Sequence, residues 1–305
     1  MACILLGLPV REGTGRAGAD QGPRALRAAG LREALGASGA AVEDWGDLRL
    51  DEAVAVAHPN SALKALPEVA AWTRAIARVA ASVPSGKRAV FLGGDHSISL
   101  GTLAGMSLRA ARLRRPLFVL WIDAHPDCHT LETTTSGHLH GTPLAYATGE
   151  GGFERAFPAI AHPVDPANIC MVGIRSVDPA EAALIARRGM AVHGVDSIAA
   201  HGPGAILQRF FEKVRRADGL LHVSFDVDAV DPGAAPGVGT PVENGLSVRL
   251  AHDIMAQVRE SGLMDSLDLV ELNPFLDRDR RTARLMVDLA ATAFGRPSAA
   301  SLRSA

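Results

Sequence analysis

Residues 116–127 read PLFVLWIDAHPD, an unbroken apolar run that ends abruptly in two aspartates and a histidine. A continuous apolar run of that length suits a strand buried on both faces, as happens where helices cover both sides of a parallel sheet. The rest of the chain repeats the theme. Apolar runs at 4–10, 88–92, 169–174, 191–195, 220–225 and 267–272 read as strands, and 39–42 is a further short candidate. Helical patterns alternate with them at 23–35, 69–83, 103–112, 179–188, 205–216, 249–260 and 283–294. In the second of these, Val69, Trp72, Ile76, Val79 and Val83 recur at three- and four-residue spacing, which predicts an amphipathic helix. Residues 51–66 carry no period and read as a connecting loop. Roughly eight strands interleaved with helices imply an α/β fold with a mostly parallel sheet sandwiched by helices. A closed (β/α)8 barrel is the competing architecture. No Pro/Ser/Gly linker divides the chain, so one domain over residues 1–305 is expected.

Composition narrows the functional classes. A chain of 305 residues, 48% hydrophobic and 21% charged, suits a globular protein with a large core. Its net charge of -2 and 4% aromatic content offer neither the basic field nor the stacking surface that nucleic acid requires. Cys3, Cys128 and Cys170 form no CxxC pair, which excludes a disulfide framework and a zinc-thiolate site and points to a reducing cytosol. The apolar N-terminal run is too short to span a membrane and lacks a basic leader, so it reads as a first strand of a cytoplasmic protein.

Three segments at the ends of strand-like runs carry the chemistry: Gly93-Gly94-Asp95-His96, Asp123-Ala124-His125-Pro126-Asp127 and Asp226-Val227-Asp228. Residues two apart in an extended chain point to the same side. Asp123, His125 and Asp127 have that spacing, as do Asp226 and Asp228. Ligands of parallel sheets gather beyond the carboxyl ends of the strands. Any single Asp here could be a turn or cap residue. So dense a set after buried runs needs pairing or metal. Leaving Asp95 aside, His96, Asp123, His125, Asp127, Asp226 and Asp228 are the expected ligands. Their four carboxylates, about -4, balance two divalent cations, about +4. Oxygen-rich donors without thiolate favour Mn2+ over zinc. Two such ions generate a hydroxide near neutral pH, the nucleophile of a hydrolase, and a bridging hydroxide leaves a slightly negative centre that suits a cationic substrate.

With Ser97, Ser224-Phe225-Asp226-Val227-Asp228-Ala229-Val230-Asp231-Pro232, Gly239-Thr240-Pro241 and Glu271-Leu272-Asn273-Pro274, these segments resemble the ureohydrolase family, the arginase branch most closely. The resemblance covers most of the chain. It implies a three-layer α/β/α sandwich on an eight-stranded parallel sheet, favouring the open sheet over the barrel. It implies two Mn2+ ions, one on His96, Asp123, Asp127 and Asp226, the other on Asp123, His125, Asp226 and Asp228. Asp123 and Asp226 bridge. The hydroxide attacks a guanidinium carbon, Asp127 takes its proton, Glu271 grips the guanidinium group with support from Thr240, and His140 protonates the leaving amine.

The segment Thr133-Thr134-Thr135-Ser136-Gly137-His138-Leu139-His140-Gly141 resembles the arginase loop that reads an amino acid. It implies L-arginine as substrate, giving L-ornithine and urea, with Ser136 at the carboxylate and Asp178 at the amino group. Three positions depart from the family. His129 and His138 stand where Asn is usual, and Ser176 replaces a common Asp. An imidazole N–H still donates to a carboxylate, so His129 and His138 join the expected substrate contacts. Another guanidino acid, agmatine, and a silent metal-binding role stay open as alternatives. Cys128 lies beside the site on the opposite parity and reads as a packed small residue. The resemblance further implies a homo-oligomer, trimer or hexamer. The tail, residues 298–305, is too short to specify it.

Overall fold

The computed structural model describes residues 2–50 and 53–295. Residues 51, 52 and 298–305, on which two of the expectations above fall, lie outside the described residues. The strands are β1 (Ala2–Leu8), β2 (Ala41–Asp47), β3 (Lys87–Gly93), β4 (Leu117–Ile122), β5 (Ile169–Val172), β6 (Ala191–His193), β7 (Leu220–Asp226) and β8 (Met264–Val270). They form one open sheet, ordered β2-β1-β3-β8-β7-β4-β5-β6, and every pairing is parallel. With β2 and β6 at its free edges, the sheet is not a barrel.

Helices cover both faces. On one lie α1 (Gly22–Ala28), α2 (Leu31–Gly36), α7 (Val195–Arg216), α8 (Val248–Ser261) and α9 (Arg281–Phe294), packed through Leu26, Leu35, Phe210, Ile254 and Met286. On the other lie α3 (Leu66–Ala81), α4 (Ile98–Arg112), α5 (Pro143–Ala147) and α6 (Pro179–Arg188), packed through Ile76, Leu103, Tyr146 and Leu184. The sequence of β4 is explained by this burial. Phe118, Leu120 and Ile122 enter one core while Leu117, Val119 and Trp121 enter the other. In β7 and β8, the face toward α4 is polar. His222 bonds Ser266 at 2.8 Å, and Asp268 accepts from Ser99 and Thr102 at 2.7 Å each. These hydrogen bonds offset the cost of burying the polar groups, although His222 Nε2 and Asp268 Oδ1 have no hydrogen-bond partner among the described residues.

Several boundaries differ from the periodic reading. The helix expected over 23–35 is two helices, broken at Gly30 with φ 89°, a conformation glycine adopts without steric cost. The short candidate strand at 39–42 is the longer β2. Helix α4 starts at Ile98, five residues before the periodic pattern becomes visible, because its first turn is built from the Ser and Gly that follow the Gly-Gly-Asp-His motif. Helix α7 reaches back to Val195 through a kink at Gly202 and Pro203, which hides the period. Strand β8 begins at Met264 and ends at Val270, earlier at both ends than expected.

Candidate metal centre and substrate cleft

All six expected ligands and Glu271 lie at or just beyond the carboxyl ends of four adjacent strands, in the spatial order β3, β8, β7, β4. The backbone after β3 is set by Gly94, where a Cβ would collide with the Val10 carbonyl. That close approach lets the Gly94 and Asp95 amides donate to Leu8 and Val10 at 2.9 and 2.8 Å, and lets the Gly94 carbonyl accept from the Glu271 amide at 2.8 Å. His96 is thereby fixed above the sheet. Its ring stacks on Trp121 with centroids 4.2 Å apart and 3° between planes, and its Nε2 lies 2.8 Å from Ser224 Oγ.

Nδ1 of His96 faces three carboxylates: Oδ2 of Asp123 at 3.1 Å, of Asp127 at 3.1 Å and of Asp226 at 3.0 Å. Across Asp123, His125 Nδ1 lies 3.6 Å from Asp123 Oδ1 and 3.0 Å from Asp228 Oδ2. These contacts define two groups able to hold an ion, His96–Asp123–Asp226 and Asp123–His125–Asp228. Asp123 is common to both and turns one oxygen to each histidine. Oδ1 of Asp226 accepts from the Asp228 amide at 2.8 Å, and its Oδ2 alone faces His96.

Although close, His96 Nδ1 and Asp123 Oδ2 make no hydrogen bond. They aim at a common point rather than at each other, as donors around a cation do. Electrostatics points the same way. Burial opposes charge on His96, but its three carboxylates lift its pKa well above the ordinary value. Burial likewise opposes charge on His125, yet Asp228 and Asp123 push it up to about 12. Burial and the neighbouring Asp228 and Asp123 raise Asp226. The cluster draws in positive charge, of the kind a pair of bound cations would supply.

Strand parity is not what makes the expected ligands converge. Strand β4 stops at Ile122, and turns built from the ligands themselves follow. The His125 amide donates to Asp123 Oδ1 at 2.7 Å, and the Ala124 amide to Asp228 Oδ1 at 3.1 Å. Asp127 has φ 47°, a strained conformation for a non-glycine residue, and Glu271 has φ 63°. Asp228 lies in a 3-10 turn, Val227–Ala229.

Beside the cluster opens a cleft of about 250 Å³, lined by His125, Asp127, His129, Ser136, His138, His140, Gly141, Ser176, Asp178, Glu181, Asp226, Asp228 and Thr240. Fully buried Glu271 stands behind His140. Its Oε1 accepts from the His96 amide at 2.8 Å and lies 2.9 Å from His140 Nδ1, while Oε2 has no hydrogen-bond partner among the described residues. Its cationic partner within the protein is therefore His140 and not an arginine. Burial disfavours charge on His140, but Glu271, with Asp127 and Asp95 nearby, lifts its pKa to about 9. Thr240 Oγ1 donates to Asp228 at 3.3 Å and not to Glu271. At the outer end, His129 Nε2 pairs with Asp178 at 3.1 Å and its Nδ1 with Thr133 at 3.2 Å, so it faces away from the ligand cluster. Ser136 Oγ accepts from the His138 amide at 3.3 Å. Cys128 is buried, which pushes its thiol far above the usual range and leaves it inert.

Sequence reading missed several contributors. Ser224 and Trp121 sat inside quoted motifs but were read only as strand residues. Arg175 uses all five donors on the carbonyls of Gly173, Asp228, Ala229, Val242 and Glu243, tying together the loops that present Asp228 and Thr240. An Arg in the first turn after a strand was the available signal. Asp95 accepts from the Thr14 amide at 2.8 Å, anchoring the loop after β1 over the site.

An open parallel α/β sheet carrying a shared-carboxylate pair of ion-binding groups at its carboxyl edge defines a candidate binuclear metallohydrolase. A family model described as Arginase family matches residues 1–295. The chain is 53% identical over 296 residues to the arginase of Brucella melitensis biotype 1, covering 97% of each. Among solved structures it is similar to native arginase from Bacillus caldovelox, with TM-score 0.87 and 33% identity over 97% of this chain and 98% of that one. It is similar as well to Entamoeba histolytica arginase in complex with L-ornithine, with TM-score 0.87 and 28% identity over 97% and 99% of the two chains. The chain belongs to the arginase family. Among the described residues, no helix is long and apolar enough to cross a membrane.

Proposed function

We propose that this chain hydrolyses the guanidinium group of L-arginine to L-ornithine and urea, using two Mn2+ ions held by His96, Asp123, His125, Asp127, Asp226 and Asp228. The observation that carries the reading is Glu271. A buried carboxylate with one oxygen unpartnered among the described residues, next to the ion-binding groups, calls for a planar cation able to reach it. Membership of the arginase family supports the same substrate class. Oxygen-rich donors without thiolate suit manganese. Two such ions, when bound, supply the Lewis acidity that ionises water near neutral pH.

The side chains do the rest. Glu271 receives the guanidinium N–H groups at Oε2 and orients the carbon toward Asp127. Burial and Asp123 hold the Asp127 carboxyl up at about 6, so one of its oxygens can take a proton under working conditions. His140, kept cationic by Glu271, gives a proton to the departing amine. Asp178, Ser136, His129 and His138 receive the amino-acid end, and Thr240 steadies Asp228. The enzyme is cytoplasmic, a single domain, and a homo-oligomer, trimer or hexamer.

One observation favours a second substrate. His129 already occupies Asp178, the carboxylate assigned to the α-amino group. A guanidino acid lacking that amine would leave the pair undisturbed. Manganese-dependent urea release from L-arginine, agmatine and 4-guanidinobutyrate ranks the readings. Absence of urea from all three defeats both.

A further inference from the structure

The segment before α3 is clamped against the loop that carries Ser136 and His138 along the cleft. Asn60 Nδ2 donates to the carbonyls of Leu131 and Thr134 at 2.8 and 3.3 Å, and the Lys64 amide donates to Gly137 at 3.0 Å. Gly137 has φ 71°, and a Cβ there would collide with the Ala62 carbonyl, so the two segments lie in direct contact. This clamp delivers Lys64 to the cleft mouth, where its Nζ lies 2.8 Å from Nε2 of His138.

An ammonium group donates and cannot accept, so Nε2 of His138 is the acceptor. In a neutral imidazole the other nitrogen, Nδ1, then carries the proton. Burial lowers the basicity of His138, and Lys64, His140 and Arg16 lower it further, which keeps the ring neutral. Among the described residues, Nδ1 of His138 has no hydrogen-bond partner. His138 lines the cleft beside Ser136 and His140. The mouth is thus polarised. Lys64, Arg16 and the His138 N–H stand near one side, and Asp178 stands on the other, already paired with His129.

We propose that Lys64 is a positioning residue for substrate selection: by donating to Nε2 it fixes His138 as an Nδ1–H donor at the cleft mouth, and the pair receives the carboxylate of a guanidino amino acid or guanidino acid. The inference rests on the reading that the cleft takes carboxylate-bearing guanidino compounds, and it adds Lys64 as the residue that sets the His138 donor. It explains how an imidazole serves where an amide N–H would otherwise donate. A fixed tautomer with a cation behind it is a stronger carboxylate donor than a neutral amide.

The test compares two ligands that differ only in a carboxylate, L-ornithine and putrescine, by calorimetric titration into the manganese-loaded enzyme. In Lys64→Met, L-ornithine affinity is expected to fall about tenfold while putrescine affinity stays the same. Lys64→Arg, which keeps a donor, is expected to retain most of the L-ornithine affinity. Equal losses for both ligands would mean that Lys64 only supports the loop, and no loss for either would mean that it has no part in selection. Both results overturn the inference. The backbone clamps through Asn60 and the Lys64 amide do not involve the replaced side chain, so the variants are expected to fold. Urea release from L-arginine is recorded in parallel. Binding selectivity that depends on Lys64 without any urea release would defeat the hydrolase reading and leave this one standing. Urea release with selectivity independent of Lys64 would do the reverse.

Discussion

The Ser224 hydroxyl holds Nε2 of His96 at 2.8 Å, which leaves Nδ1 facing Asp123, Asp127 and Asp226. A histidine that ligates through one nitrogen depends on whatever engages the other. Replacing Ser224 with Ala is expected to lower Mn2+ affinity by about 10–100-fold without unfolding the protein. Metal titration followed by calorimetry checks this, and wild-type affinity in the variant would remove Ser224 from the design.

Glu271→Gln keeps the shape and removes the charge. The His96 amide retains an acceptor, so metal affinity should change little. Recognition of a guanidinium cation should suffer, with kcat/KM falling by about 10²-fold or more, the scale of a lost charged hydrogen bond in a dry site. Steady-state kinetics with L-arginine gives the number. A variant with near-normal kcat/KM would place the substrate cation elsewhere.

The His140–Glu271 pair predicts a pH dependence in chelator-treated protein. His140 is raised from 6.5 to about 9 in the folded state, despite burial, because Glu271 is beside it. The stability this contributes is present in full below about pH 6.5 and is lost as pH rises through about 9. Burial pushes the Glu271 carboxyl up, but His140 outweighs it and the net shift is downward, so its share holds above the ordinary carboxylate range and is lost in acid. Thermal melts across pH 5–10 should therefore show a decline between about 6.5 and 9 that His140→Asn flattens. Parallel curves for the two proteins would refute the linkage.

Arg175→Lys tests the loop staple. Lysine offers three donors in place of the planar five, so at least two of the carbonyls now served lose their partner. A cost of about 2–4 kcal/mol in denaturant unfolding is expected, together with weaker metal binding through Asp228. A loss confined to stability, with metal affinity intact, would show that the staple does not orient Asp228.

The fold and the clustering of acids and histidines were legible because both rest on strong local signals. Strand β4 is apolar on both faces, and only a helix-covered sheet accommodates that. Six acid and imidazole side chains gathered this closely call for compensating positive charge. The logic of their convergence was less visible. Strand parity picked out residues that the structure brings together, yet Asp123 and Asp127 are aimed by side-chain-to-amide turns and a left-handed backbone that no periodicity encodes. Lys64 was hidden for a related reason. It sits in a stretch without a pattern and reaches the site through contacts with a loop more than 70 residues away. The broken helix at Gly30 had a signal that was passed over, a glycine inside a helical run. The kink in α7 combined glycine and proline, which erased the period altogether.

Strand β8 lies between β3 and β7, though seven strands precede it in the chain. During synthesis β2, β1 and β3 can therefore pair as one group and β7, β4, β5 and β6 as another, with no sheet pairing between the groups until residues 264–270 emerge. Through that interval two central edges carrying Val90, Phe91, Val223 and Phe225 stay unpaired, which invites association with other nascent chains. The last strand to appear closes the gap and, one residue later, delivers Glu271. Biosynthesis of this protein thus has a late commitment point, and chaperone demand should concentrate on chains that have not yet passed it.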